Sequence, residues 1–317
     1  MNTLNQTLLG NSPQLQMVLR TVRLIASTDV TVLIFGESGT GKELVARALH
    51  QESRRKNRPF VPINCAALPE GLAESELFGH RRGSFTGATA DQVGRVRSAE
   101  GGTLFLDEVA ELPLTIQAKL LRLLESGECQ VVGSSVPTFC ETRIVAATHR
   151  DLRSWVKMGR FREDLYYRLN IVSLELPPLR ARSGDLFFLL RHFTESFAHR
   201  HKLNIPRYSS IVLEKIQSYS WPGNVRELRN FCERMVVLFP GHTIELNDLP
   251  VEFHDAASSM HTTDFHLPEE GIILQKLEEE IIRQALCRAE GNRSRAARLL
   301  GLTRDTLLYR MKKYAIS

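Results

Sequence analysis

Features that would place this 317-residue chain outside a reducing, aqueous compartment are scarce. Its five cysteines (Cys65, Cys129, Cys140, Cys232, Cys287) are odd in number, widely spaced and never in a C-x-x-C pair. That pattern argues against a disulfide framework or a zinc site and for a reducing cytosol. No apolar run reaches the ~18 residues that a membrane helix needs, so no membrane partner is expected. The opening stretch Met1–Thr7 has neither basic residues nor an apolar core, which excludes a secretory leader there. No internal repeat or low-complexity tract is present. What remains is ordinary for a globular protein: 43% apolar and 24% charged residues exclude wholesale disorder. The length suits about two domains at ~150 residues each.

The net charge of +5 is unevenly placed. Residues 291–317 carry seven arginines and lysines against Asp305, a net +6, so the other 290 residues sum to −1. A compact basic tail points to an anionic partner.

Residues 1–178 alternate short β-branched runs with helical patterns, the signature of an α/β sheet domain. The expected strands are 30–35, 60–65, 103–106, 143–148 and 171–176. Pro177-Pro178 breaks the pattern. Helical spacing dominates 179–250, as in 185–199 and 209–220, with Trp221-Pro-Gly-Asn224 opening a further helix. Residues 251–268 lose apolar periodicity and read as a linker. Residues 269–317 read as a helical module, starting with the stripe Leu274, Leu277, Ile281, Ile282 and Leu286.

The chemistry begins after the first strand, at Gly36-Glu37-Ser38-Gly39-Thr40-Gly41-Lys42-Glu43, followed by a helix over 44–50. Such glycines let backbone N–H groups curl around phosphates at a helix N-terminus, and Lys42 supplies charge for the β- and γ-phosphates. Glu43 stands where a Ser or Thr hydroxyl would usually ligate Mg²⁺. A second strand end, Leu104-Phe-Leu-Asp107-Glu108, supplies the acids: Asp107 to hold Mg²⁺ directly or through water, Glu108 to orient the attacking water. Strand–loop–helix context and the two paired motifs together indicate NTP hydrolysis.

These residues resemble the AAA+ ATPase module of bacterial enhancer-binding proteins, the activators of sigma-54 RNA polymerase, over roughly residues 8–250. The most specific marker is Gly83-Ser84-Phe85-Thr86-Gly87-Ala88, which the family writes GAFTGA, with Ser84 in place of the usual Ala. The resemblance implies a parallel P-loop sheet with a helical lid, and a loop inserted in a helix that engages sigma-54. A Phe between glycines also suits an exposed, mobile plug seeking a partner. By the same resemblance, Asn64 switches the catalytic glutamate by hydrogen bonding, Thr148 reads the γ-phosphate, and Arg226 of the lid senses nucleotide. Either Arg162 or Arg168 is expected to reach the neighbouring subunit's ATP, which implies a hexameric ring; such arginines are worth ~10³–10⁵ in rate.

In the tail, Ala297, Gly301 and Leu307 have helix-turn-helix spacing: a small residue for close approach, a glycine for the turn, a leucine to pack the second helix. That helix, about 303–313, would enter the major groove with Thr303, Arg304, Asp305, Thr306 and Tyr309 near base edges. Arg293, Arg295, Arg310, Lys312 and Lys313 fall as phosphate contacts. The segment is similar to the family's Fis-type domain, whose preceding helix, about 272–288 here, dimerises.

The expected function is therefore a cytoplasmic, nucleoid-associated activator that binds enhancer DNA and spends ATP to open the sigma-54 promoter complex. Two other readings compete: another AAA+ remodelling machine, such as a helicase loader or chelatase subunit, and a DNA-binding regulator that does not hydrolyse ATP. The loop at 83–88 and the terminal helices disfavour the first; Lys42, Asp107, Glu108 and Arg162 disfavour the second. Fewer than about 30 residues precede the first strand, too few for a receiver domain of ~100 residues. In this the chain resembles the phage-shock branch of the family, and control by a separate regulatory protein is expected.

Overall fold

The computed structural model describes residues 8–69, 71–85, 87–182, 184–254, 274–289, 291–314 and 316. They fall into two compact units, Met1–His254 and Asp255–Ser317.

The first unit is built on five parallel strands: β1 (Val32–Phe35), β2 (Phe60–Asn64), β3 (Thr103–Asp107), β4 (Arg143–Thr148) and β5 (Val172–Glu175). Their order is β2-β3-β4-β1-β5. Alternate side chains face opposite ways along a strand, and two cores result. Leu33, Leu104, Leu106, Ile144 and Ala146 pack on one face with helices α3 (Ala73–Phe78), α4 (Arg95–Ser98), α5 (Leu114–Ser126), α6 (Leu152–Lys157) and α7 (Glu163–Leu169). Val32, Ile34, Phe105, Val145 and Ala147 pack on the other with α1 (Pro13–Ala26) and α2 (Lys42–Gln51). Burial on both faces is why the inner strands β1, β3 and β4 read as near-continuous apolar runs, whereas the edge strands β2 and β5 are only partly buried. Arg143 is buried too: its guanidinium donates to the carbonyls of Ala26 at 2.9 Å and Ile25 at 3.2 Å, capping α1.

The lid follows, with α8 (Asp185–His201), α9 (Ser210–Ser218) and α10 (Asn224–Leu238). Its core closes around Trp221, 0% exposed, whose indole N–H donates to the Ile216 carbonyl at 3.0 Å. Val251–His254 (α11) is a helical turn where the sequence suggested linker, and Phe253 packs against Trp221 and Tyr219. Residues 255–268 lie outside those described.

The second unit holds α12 (Leu274–Arg288), α13 (Arg293–Leu299) and α14 (Arg304–Lys313) around Ile282, Ala285, Ala297, Leu307 and Met311. Asn292 caps α13 by accepting the N–H groups of Ser294 and Arg295, both at 3.1 Å, and Thr303 caps α14. Gly301, at φ +64°, makes the turn between them.

Candidate nucleotide site and sigma-54 loop

The parallel order places the C-terminal ends of β1, β3 and β4 side by side, where a doubly wound sheet forms its crevice. The loop Gly36–Gly41 joins β1 to α2. Gly39 (φ +78°) and Gly41 (φ +102°) occupy left-handed conformations that a side chain would strain. Thr40 spends its hydroxyl within the loop, donating to the Glu37 carbonyl at 2.8 Å. Lys42 is buried; its ammonium donates to the Gly36 carbonyl at 2.9 Å and lies 3.4 Å from Glu108 Oε1.

Glu108 follows β3 with φ +54°, uncommon for a residue bearing a side chain. Its second oxygen meets His149 Nδ1 at 2.7 Å and accepts the His149 amide N–H at 3.3 Å. Burial pushes the carboxyl's pKa up, but the His149 hydrogen bonds and the Lys42 charge outweigh it, leaving Glu108 below the ordinary glutamate range. Asp107 moves the opposite way, raised by burial and then by the charge of Glu108. Burial and the neighbouring charge thus move two adjacent carboxyls in opposite directions, so the two differ in how firmly each holds its proton.

Asn64 stands beside Asp107 in the β2–β3 register. Its side-chain oxygen accepts the Ala66 N–H at 3.0 Å, and the Glu108 carboxylate is hydrogen-bonded by His149, through ring and amide N–H, not by Asn64. Thr148 ends β4, fully buried, and accepts the Arg150 N–H at 3.0 Å. Glu43 turns away to pair with Arg47 at 2.7 Å.

The lid grips the P-loop through Arg226, expected from the sequence, and through Asn224, Arg180 and Arg182, whose roles sequence reasoning passed over. Asn224 accepts the Leu179 N–H at 2.8 Å and donates to the Ser38 carbonyl at 3.0 Å and to Glu37 Oε2 at 3.1 Å. Arg180 pairs with Glu37 at 2.5 Å, and this bond, then that of Asn224, pulls the Glu37 pKa down to about 2. Buried Arg182 donates to the Thr40 carbonyl at 2.8 Å. Arg226 donates to the Ser38 hydroxyl at 3.1 Å. A cleft of about 650 Å³ lies between, with Ser38–Glu43, Asn64, Asp107, Glu108, Arg226 and Arg229 at its polar end. Leu8, Leu9, Leu189, Phe193 and Val225 also line it. Arg229, one turn beyond Arg226 on α10, was detectable from its i+3 spacing.

Arg162 and Arg168 do not line this cleft. Exposed Arg162 pairs with Asp164 at 2.7 Å, and Arg168 donates to the Leu124 carbonyl at 3.0 Å.

The loop at 83–88 hangs from a helix that is interrupted: α3 ends at Phe78 and α4 begins at Arg95. Gly79–His80 pair antiparallel with Gln92–Val93 across its neck. The Gly83 N–H donates to the Ala88 carbonyl at 2.9 Å. Phe85 is half-buried, not the exposed plug its glycine flanks suggest: its ring meets His80 edge-on at 5.0 Å. Ser84 lies beside Gly133 with its hydroxyl unpaired, and Thr86 is outside the described residues.

In the second unit Tyr309 is 70% exposed, and Arg304 and Asp305 open α14. Arg310 instead pairs with Glu278, which also accepts the Tyr314 hydroxyl at 2.6 Å. That carboxylate ties α14 to α12 and engages a side chain expected on phosphate.

A P-loop, a strand-end acid pair and a helical lid closing over both define an AAA+ ATPase. Comparison with known proteins places it further. The Sigma-54 interaction domain matches residues 8–175, an AAA+ ATPase lid domain 180–265, and the Fis family of bacterial regulatory proteins 273–314. The transcriptional regulatory protein ZraR of Klebsiella oxytoca is 46% identical over 308 residues, covering 96% of this chain and 68% of the relative. The DNA-binding transcriptional regulator NtrC of Rhizobium meliloti is 43% identical over 339 residues, covering 98% and 70%. The ATP complex of NtrX from Brucella abortus superposes with a TM-score of 0.72 at 33% identity, covering 96% of this chain and 68% of that one. The chain belongs to the family of sigma-54-dependent transcriptional activators: it is an ATPase that activates transcription through sigma-54. Among the described residues no helix is long and apolar enough to cross a membrane.

Proposed function

We propose that the cleft binds ATP with Mg²⁺ and that its hydrolysis drives the sigma-54 closed promoter complex open from an enhancer-bound ring. The observation that carries this reading is the convergence of Lys42, Glu108 and Asp107 at one crevice, with Lys42 3.4 Å from Glu108. Lys42 leaves Glu108 for the β- and γ-phosphates, over which Gly36, Glu37, Ser38, Gly39, Thr40 and Gly41 offer their backbone N–H groups. Glu108, kept ionised, orients the attacking water and accepts its proton.

The donor set suits magnesium: the Asp107 carboxylate, a hard oxygen donor, lines the same cleft as the P-loop that would cradle the phosphates. Asp107 would hold the ion, directly or through water, since Glu43 offers no hydroxyl and Thr40 uses its own. Bound there, the ion neutralises charge on the phosphate oxygens.

Asn64 and Thr148 transmit nucleotide state from the ends of β2 and β4, and Arg226 couples it to the lid. Arg162 and Arg168, facing away from their own cleft, serve a neighbour's ATP in a hexamer. Gly83, Ser84, Phe85, Thr86, Gly87 and Ala88 contact sigma-54. The terminal unit dimerises and holds enhancer DNA through Thr303, Arg304, Asp305, Thr306 and Tyr309 at bases and Arg293, Arg295, Lys312 and Lys313 at phosphates, with Arg310 joining once released by Glu278. The setting is the bacterial cytoplasm, at the nucleoid, under a separate regulatory protein. The test is paired: Lys42→Ala loses nucleotide affinity, whereas Glu108→Ala binds ATP but releases no phosphate. Normal turnover by Glu108→Ala refutes the assignment.

A further inference from the structure

The apolar end of the cleft has a fastening of its own. Asp185 opens α8 and is 1% exposed. One of its oxygens accepts the N–H groups of Asn11 at 2.6 Å and Ser12 at 2.9 Å, and the other accepts the Ser12 hydroxyl at 2.8 Å. A carboxylate taken out of water is costly unless its lone pairs are filled, and here a single segment far back in the chain fills them. That segment begins with Leu8 and Leu9, which line the cleft, and α8 carries Leu189 and Phe193, one and two turns beyond Asp185, which line it too. Gly10 lets the two meet. Its φ is +141°, and a Cβ there would fall 2.4 Å from Asp185 Oδ2 and 2.7 Å from Leu15 Cδ2.

We propose that Asp185 is a positioning residue for the nucleotide base. It fastens the segment carrying Leu8 and Leu9 to the helix carrying Leu189 and Phe193, and so sets the spacing of the apolar walls that take adenine. The base then holds the lid and the leading segment together, while the triphosphate is held separately by the P-loop. This rests on the reading of the cleft as the ATP site.

The experiment uses the full chain, titrated by calorimetry with ATP and with inorganic triphosphate, and followed by thermal melting without nucleotide. Asp185→Asn keeps the shape but loses the charge and half its acceptor capacity. It is expected to weaken ATP binding about tenfold, in line with the loss of a buried charge-assisted bond, and to leave triphosphate affinity within about twofold. The KM for ATP rises while kcat is kept. Ser12→Ala removes one bond and keeps the carboxylate; it is expected to weaken ATP about threefold, and it decides the matter if Asp185→Asn does not fold. Lys42→Ala weakens both ligands. Equal losses for ATP and triphosphate in Asp185→Asn and Ser12→Ala, or no loss for either, overturn the proposal while the Lys42 control stands. If Lys42→Ala leaves both ligands unaffected, the ATP-site reading fails and the proposal with it.

Discussion

Asn224 joins three partners, two of them in the P-loop, through one carboxamide, so its removal has a calculable cost. The residue is 0% exposed. Truncation to Ala strands the Leu179 N–H and the Ser38 carbonyl, each bonded at 3.0 Å or less. A buried polar group left without a partner costs about 1–3 kcal/mol. The backbone adds to this: φ at Asn224 is +52°, and this region costs most side chains about 1 kcal/mol more than it costs Asn or Gly. The total is roughly 3–7 kcal/mol. At about 2–4 °C per kcal/mol for a unit of this size, the Tm should fall by roughly 6 °C or more. Asn224→Gly loses the same hydrogen bonds but not the backbone preference, so it should melt a few degrees above Asn224→Ala. Asn224→Asp sets a second carboxylate against Glu37, now 3.1 Å from the carboxamide nitrogen, and should loosen the lid further. Differential scanning calorimetry, with and without ATP, measures the stability, and steady-state turnover should show a raised KM. An Asn224→Ala protein that melts within 2 °C of its parent and keeps its KM would refute the reasoning.

Other outcomes follow from the same geometry. Phe85→Ala should leave ATP turnover within about twofold yet abolish open-complex formation with sigma-54 polymerase; transcription that survives would remove the loop as the contact. Deleting residues 269–317 should eliminate enhancer binding in a gel-shift assay while ATPase activity persists, and the parent's DNA affinity should fall steeply with added salt as counterions compete for phosphates. The Glu37–Arg180 pair gives an acid signature. Glu37 titrates near 4.5 when free and is depressed to about 2 in the folded chain, so its contribution is full above pH 4.5 and lost as pH falls through about 2. The pair is part-exposed and the effect small. Glu37→Gln should flatten the parent's loss of Tm across that window, and parallel melting curves for the two proteins would dismiss the pair.

The sheet was legible because its inner strands are buried on both faces and are therefore spelled in near-continuous apolar runs. Residues 143–148 emerge as β4 unchanged, while the first strand starts at Val32, two residues after the expected 30. The P-loop and the acid pair were legible because each is a local pattern, and their meeting follows from parallel topology. The lid's hold was not: Asn224, Arg180 and Arg182 reach partners more than a hundred residues away, and nothing in their neighbours marks them. Nor does local sequence place the ring nitrogen of His149 on Glu108. Arg310 carries a partner that local sequence does not reveal. Basic residues in a tail look like one electrostatic surface, yet Glu278, on the preceding helix, claims one of them.

The neck of the loop at 83–88 makes that loop a replaceable part. Gly79 and Gly94 face each other so closely that a Cβ on Gly94 would fall 2.3 Å from the Gly79 nitrogen. The chain thus leaves the helix and returns to it at nearly one point, and the antiparallel pairing of 79–80 with 92–93 seals the exit. Apart from the Arg81 hydrogen bond to the Val132 carbonyl and the contact of Ser84 with Gly133, the segment between is held at this neck, so change within it falls outside α3, α4 and the sheet beneath them. An ATPase core of this kind is free to exchange one business end for another, and its choice of target becomes a matter of grafting rather than of refolding.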